Sequence, residues 1–201
     1  MEKQQLLPAL EIRQLEEEIG RAQCLLQRPV LTPDPFGFNA FWQSGVRGLR
    51  RRAAAYREPF PARLTADWQE TRLDAMAVSG FLDVAICVGY ADWRLERIAG
   101  TFLRGRRGRT PLGALLTAEG RRRLPPLISE KVQQLEKRGE APIFPSRLRK
   151  DEVVLHPHRY YLTDEGLAVW FPQESIAPRT AGLPTVFFSF DEIRGLLRFL
   201  F

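Results

Sequence analysis

With 201 residues, 44% of them hydrophobic and 27% charged, the chain can bury a sizeable core without covalent staples and is too apolar for disorder. No apolar run reaches the roughly 18 to 20 residues of a membrane helix, the start Met1-Glu2-Lys3-Gln4-Gln5 has no secretory-signal features, and two cysteines, Cys24 and Cys87, exclude a disulfide framework and a four-cysteine zinc site. The net charge of +6 comes mainly from arginine, clustered at Arg50-Arg51-Arg52, Arg104 to Arg109, Arg121-Arg122-Arg123 and Arg147 to Lys150.

Ile12, Leu15, Ile19, Ala22 and Leu26 recur at helical spacing, which predicts a helix from Ala9 to about Gly20. Arg21 to Gln27 then alternates as an extended segment ending before Pro29. Three prolines make Pro29 to Pro35 a loop. Phe36 to Arg57 predicts a second helix with the stripe Phe38, Phe41, Trp42, Val46, Leu49 and Ala53.

Between Trp68 and Arg104 the period becomes two, which predicts three consecutive antiparallel strands separated at Ser79-Gly80 and Ala91-Asp92. Gly105 to Gly108 is a basic turn, and Thr117 starts a helix with the face Leu124, Leu127, Ile128, Val132 and Leu135. Pro125-Pro126 predicts a break within it. Gly139 to Lys150 reads as a loop and Glu152 to Leu155 as a short extended piece.

Arg159 to Thr163 pairs with Leu167 to Phe171 across Asp164-Glu165-Gly166, the glycine supplying a positive φ. Thr185 to Ser189 is a final strand. The Ser189 and Glu192 spacing is a capping box, and Ile193, Leu196, Leu197 and Leu200 predict a closing helix from about Phe190. The expected class is α+β, an antiparallel meander and a C-terminal hairpin sheet packed with helices. An N-terminal segment, 1–29, precedes a single domain, 30–201, with halves at about 30–150 and 151–201.

Catalytic chemistry has little to stand on. His156-Pro157-His158 offers two imidazoles where zinc normally takes four ligands. Neither cysteine sits in a protease setting, and both nucleophile elbow and phosphate loop are missing. No catalytic, cofactor-binding or metal-binding residue is therefore expected. The cysteines read as buried small hydrophobes, with a single Cys24–Cys87 bridge as the alternative outside the cytosol. Arg50, Arg51, Arg52, Arg106, Arg107 and Arg109 are candidate anion-binding residues. No recognition helix or aromatic strand pair accompanies them, which disfavours nucleic acid as the partner.

The run Tyr160-Tyr161-Leu162-Thr163-Asp164-Glu165-Gly166-Leu167-Ala168-Val169-Trp170-Phe171, then Glu174-Ser175-Ile176-Ala177-Pro178, Ala181-Gly182 and Thr185 to Ile193, resembles a family of bacterial envelope domains. These are the extracellular region of RsiV-type anti-sigma factors, which binds lysozyme, and the accessory region of PdaC-type peptidoglycan deacetylases. Weaker likeness extends over about residues 30 to 200. The chain departs from the family where Tyr90-Ala91-Asp92-Trp93-Arg94 stands in place of a Gly-Gly-Ala-His-like stretch, and the deacetylase catalytic domain has no counterpart. The resemblance implies an α+β recognition domain without a catalytic centre, with a wall-associated protein or peptidoglycan as partner. A basic lysozyme would need a localised acidic patch to dock on so basic a chain.

Overall fold

The computed structural model describes residues 8–56, 60–89, 92–139, 142–144 and 155–198. Most of the loop expected over Gly139 to Lys150, and Glu152 to Val154 of the expected extended piece, lie outside them.

The chain opens with strands rather than a helix: β1 (Ala9–Ile19) and β2 (Ala22–Thr32) form a hairpin paired along its whole length, from Ala9 opposite Thr32 to Ile19 opposite Ala22. A four-residue spacing fits both periods, so Leu15 and Ile19 share a face in a strand as they would in a helix. Ile12 is an odd number of residues away and lands exposed, at 39%. Eleven residues of ladder outweigh the helical pattern. Pro29 also lies within a strand, because β2 pairs with the next strand only over Ala22 to Leu26; beyond that its missing N–H faces an unpaired edge.

Helix α1 (Phe38–Ala54) follows as expected. The Asp34 carboxylate accepts from the backbone N–H of Phe36, Phe38 and Asn39 at 2.8 to 3.1 Å, capping its start. The Asn39 amide clasps the backbone of Leu31 in β2 at 2.8 and 2.9 Å. Strands β3 (Ala62–Leu73), β4 (Ala77–Val88) and β5 (Asp92–Leu103) form the expected meander. Its first turn is at Asp74-Ala75-Met76, where Asp74 accepts from the N–H of Met76 and Ala77. Ser79-Gly80 therefore sits inside β4, and a Cβ on Gly80 would collide with the Trp68 indole.

The sheet order is β1-β2-β3-β4-β5, with β2 and β3 parallel across the α1 crossover. On one face Phe38 and Trp42 of α1 meet Trp68 and Phe102 edge-on, with centroids 4.8 to 5.8 Å apart. Each such contact adds about 0.5 to 1.5 kcal/mol to simple burial. Cys24 lies in the register row of Leu64 and Ile86, so Cys87, one residue on, points to the opposite face. Both cysteines are free, which removes the bridge alternative.

The second face of β4 and β5 carries Ser79, Phe81, Ala99 and Thr101. It is covered by a second sheet of β6 (Tyr160–Leu162), β7 (Gly166–Trp170) and β8 (Thr185–Ser189), in the order β6-β7-β8. Trp170 packs with Phe81 and Ala99. After the short helix α2 (Leu112–Leu115), helix α3 (Ala118–Lys137) lays Leu124, Ile128 and Val132 into the core shared with Leu167, Val169 and Phe188. Thr117 caps α3 by accepting from the Gly120 N–H at 3.0 Å. The helix does not break at Pro125-Pro126. The bonds those prolines cannot make belong to the carbonyls of Arg121 and Arg122, on solvent-facing residues, while the buried stripe holds the axis.

The β6–β7 hairpin has the expected pairing, Tyr160 with Val169 and Leu162 with Leu167. Gly166, however, is not left-handed. It is glycine because a Cβ there would strike the Phe188 carbonyl of β8. The capping box also forms, with the Ser189 N–H donating to Glu192 at 2.8 Å and the Glu192 N–H to Ser189 at 3.2 Å. Yet only consecutive turns follow, not a helix. Gly195 takes φ 80°, Thr117 N–H captures the Leu196 carbonyl at 2.9 Å, and Leu197 bridges Leu116. Pairing with the start of α3 overrides the local helix signal. Gly166→Ala is expected to lower unfolding free energy by at least about 3 kcal/mol in a denaturant titration, because backbone must move to admit the methyl group.

Candidate anion-binding site

Two stretches about 50 residues apart meet at the end of the five-stranded sheet. The basic turn after β5 docks on the start of α1, where the Gly108 N–H donates to the Phe36 carbonyl at 2.8 Å. The His156-Pro157-His158 segment docks on the same turn from the other side. Leu112 N–H donates to the Pro157 carbonyl at 2.8 Å, and Arg109 Nη2 donates to the His158 carbonyl at 3.0 Å. Tyr160 closes the base, its hydroxyl donating to the Thr110 carbonyl at 2.6 Å.

Arg109 is the central group. Its guanidinium lies 5.2 Å from the Phe41 ring centroid, a cation–π distance. Burial pushes its pKa down to about 10, with the nearby Tyr160 hydroxyl acting in the opposite sense. Among the described residues it has no carboxylate partner. A half-buried cation without a counter-charge is costly, and an incoming anion would relieve that cost.

The surroundings are also basic. His156 is held below the ordinary histidine value by burial, then by Arg159 and Arg109. His158 is held down by burial, then by Arg109 and His156, and burial lowers Arg159 as well. The His158 backbone N–H donates to His156 Nδ1 at 3.2 Å, which leaves the proton of neutral His156 on Nε2. His158 Nδ1 and Thr110 Oγ1 are buried without a hydrogen-bond partner among the described residues. Guanidinium, imidazole and hydroxyl groups of this kind can hold a carboxylate or phosphate.

The six arginines singled out from sequence separate to the two ends of α1. At the C-terminal end Arg50 pairs with Glu17 at 2.6 Å and Arg52 with both oxygens of Glu96 at 2.8 Å, while Arg51 is exposed. At the other end Arg106 and Arg107 are exposed on the turn and Arg109 is the embedded one. Phe41, Thr110 and Arg159 belong to the same constellation and have no local sequence signature; only the chain's path brings them together. Among the described residues no three His, Cys, Asp or Glu side chains gather as a metal would require, and no helix is long and apolar enough to cross a membrane.

The sign of each pKa shift makes the cluster measurable. Both imidazoles stay neutral at pH 7, and a histidine with a depressed folded pKa contributes stability above its unfolded value near 6.5 that is lost as pH falls through that value towards the folded one. Arg109→Gln is expected to raise the pKa of His158 more than that of His156, and Arg159→Gln to act on His156. Histidine proton NMR titrations of the two variants check the assignment.

No protein-family model matches this chain, and no curated protein matches it in sequence. Solved structures do match its fold over nearly the whole length. A DUF3298-family protein from Bacteroides fragilis superposes with a TM-score of 0.65 at 9% identity, covering 94% of this chain and 93% of its own. One from Pseudomonas aeruginosa superposes with a TM-score of 0.63 at 15% identity, covering 96% and 95%. At such identities the likeness establishes the fold alone, and the chain has the α+β architecture seen in these DUF3298 proteins.

Proposed function

We propose that the chain is a non-enzymatic recognition domain of the cell-envelope type that binds an acidic wall polymer, peptidoglycan by preference, through the Arg109 cluster. The observation carrying this reading is the half-buried Arg109 guanidinium, which lacks a carboxylate partner among the described residues and is flanked by His156, His158 and Arg159. Wall peptides bear carboxylates, and a guanidinium fork in a partly desolvated setting pairs with them bidentately. The resemblance of the C-terminal run to RsiV-type and PdaC-type envelope domains supports the same reading.

A basic protein such as lysozyme would be repelled by this cluster. It would have to meet the acidic edge strand β1, which carries Glu11, Glu16, Glu17 and Glu18. Sedimentation with purified peptidoglycan is expected to capture the wild-type chain. Arg109→Gln should weaken capture about tenfold or more, given the 1.5 to 3 kcal/mol of a charge-assisted hydrogen bond. Failure to bind either peptidoglycan or lysozyme would reject the recognition role. Retained binding in Arg109→Gln, with loss in Glu16→Gln/Glu18→Gln, would move the contact to β1. Tight, steeply salt-dependent RNA or DNA binding would favour nucleic acid instead.

A further inference from the structure

The smaller sheet covers only one end of the large-sheet face turned away from α1. At the other end of that face one cross-strand row runs the full width of the sheet: Glu18 beside Gln23, then Arg63, Cys87 and Trp93. Residues opposite one another in a ladder share a face, and five strands spread the row over about 19 Å. Cys87 is buried, and the other four are exposed. Trp93 is the one exposed tryptophan of the chain, at 45% against 7% or less for Trp42, Trp68 and Trp170. Phe60, 60% exposed, stands at the same end of the sheet, because the Gly89 N–H donates to the Pro61 carbonyl at 3.1 Å and the Phe60 side chain lies against Gly89.

The backbone under Trp93 is fixed although β5 is an edge strand. Arg179 Nε donates to the Trp93 carbonyl at 2.9 Å, and the Leu95 N–H donates to Gln173 Oε1 at 2.9 Å. An exposed aromatic on a pinned strand is a preorganised contact. The polar side chains of the row are uncommitted: Glu18, Gln23 and Arg63 have no hydrogen-bond or ion-pair partner among the described residues. One carboxylate and one guanidinium leave the row without net charge, so it does not select an ion. The two rings expose on the order of 200 Å² of apolar surface, well below the roughly 800 Å² that each side of a stable protein interface buries. A sugar ring combines an apolar C–H face with a rim of hydroxyls. Aromatic faces suit the first, and amide, guanidinium and carboxylate groups suit the second.

We propose that this row is a platform for a neutral, extended β-1,4-linked glycan, its sugar rings stacked on Trp93 and Phe60 and its hydroxyls held by Glu18, Gln23 and Arg63. Such chains are flat ribbons, matched to a straight row on an open sheet. The platform lies at the start of β5 and Arg109 beyond its end, and the proposal does not rest on the wall-polymer reading. The test uses the full chain with chitohexaose and cellohexaose, which carry no peptide or carboxylate. At least one hexamer is expected to bind saturably by calorimetry, to shift tryptophan emission to the blue and to protect it from acrylamide, a change only Trp93 can report. Trp93→Ala should abolish the binding heat, Trp93→Phe should restore part of it, and Arg63→Gln should weaken binding about two- to tenfold, the worth of one hydrogen bond. Arg109→Gln should leave it unchanged. The platform is overturned if neither hexamer gives saturable heat up to about 10 mM, where a millimolar site is mostly filled. Undiminished binding in a Trp93→Ala protein with wild-type circular dichroism overturns it too, as does an emission shift on phosphatidylcholine vesicles with none on either hexamer. Should Trp93→Ala fail to fold, Phe60→Ala and Arg63→Gln decide, both being exposed positions; unchanged hexamer affinity in both overturns the proposal.

Discussion

Strand β6 is an edge strand of the smaller sheet, buried against the larger one, and the arrangement depends on satisfying its outer backbone groups. It pairs with β7 on one side only, so the N–H and C=O of Leu162 would be stranded in a dry interior, at a cost of several kcal/mol. Side chains of the larger sheet supply the missing partners. Ser79 accepts from the Leu162 N–H at 2.9 Å and shares a 2.9 Å hydrogen bond with Thr101, while Thr71 donates to the Leu162 carbonyl at 2.6 Å. Three hydroxyls on three different strands thus set the height and register of β6. Everything entering β6, including His156-Pro157-His158 and its contact with Arg109, takes its position from them.

The same seam shows what can and cannot be read along a chain. Period-two alternation indicated a three-strand meander but set its first turn at Ser79-Gly80 instead of Asp74 to Met76, and the aromatic run 160–171 located the β6–β7 hairpin, because those patterns are burial itself written in sequence. Where two periods agree, as at Leu15 and Ile19, the pattern is silent, and the pairing of β1 with β2 decided. Gly80 and Gly166 look like turn residues, but Gly80 lies inside β4 and Gly166 opens β7, and both are emptied of a side chain, for Trp68 and for the backbone of β8. The closing capping box was legible and formed, yet the helix it announces lost to long-range contacts with Thr117 and Leu116.

For the candidate site the limit was geometric. Arginine clusters were visible, but their burial was not, and embedding in a low-dielectric setting is what separates Arg109 from its exposed neighbours Arg106 and Arg107. Arg50 and Arg52 were neutralised by glutamates 33 and 44 residues away. Net charge describes a chain; the fields at its surface are set by which acids the fold returns to which bases.

The crossover from β2 to β3 imposes an order on synthesis. The β1–β2 hairpin is a local structure that can form once residue 32 has emerged, yet the parallel neighbour that buries Cys24 and Leu26 begins only at Ala62. Until then a growing chain presents an apolar ribbon with two open edges, the kind of template on which chains aggregate. The glutamates at 16, 17 and 18 sit on that ribbon, placing charge of one sign along the edge, the arrangement by which sequences oppose edge-to-edge pairing.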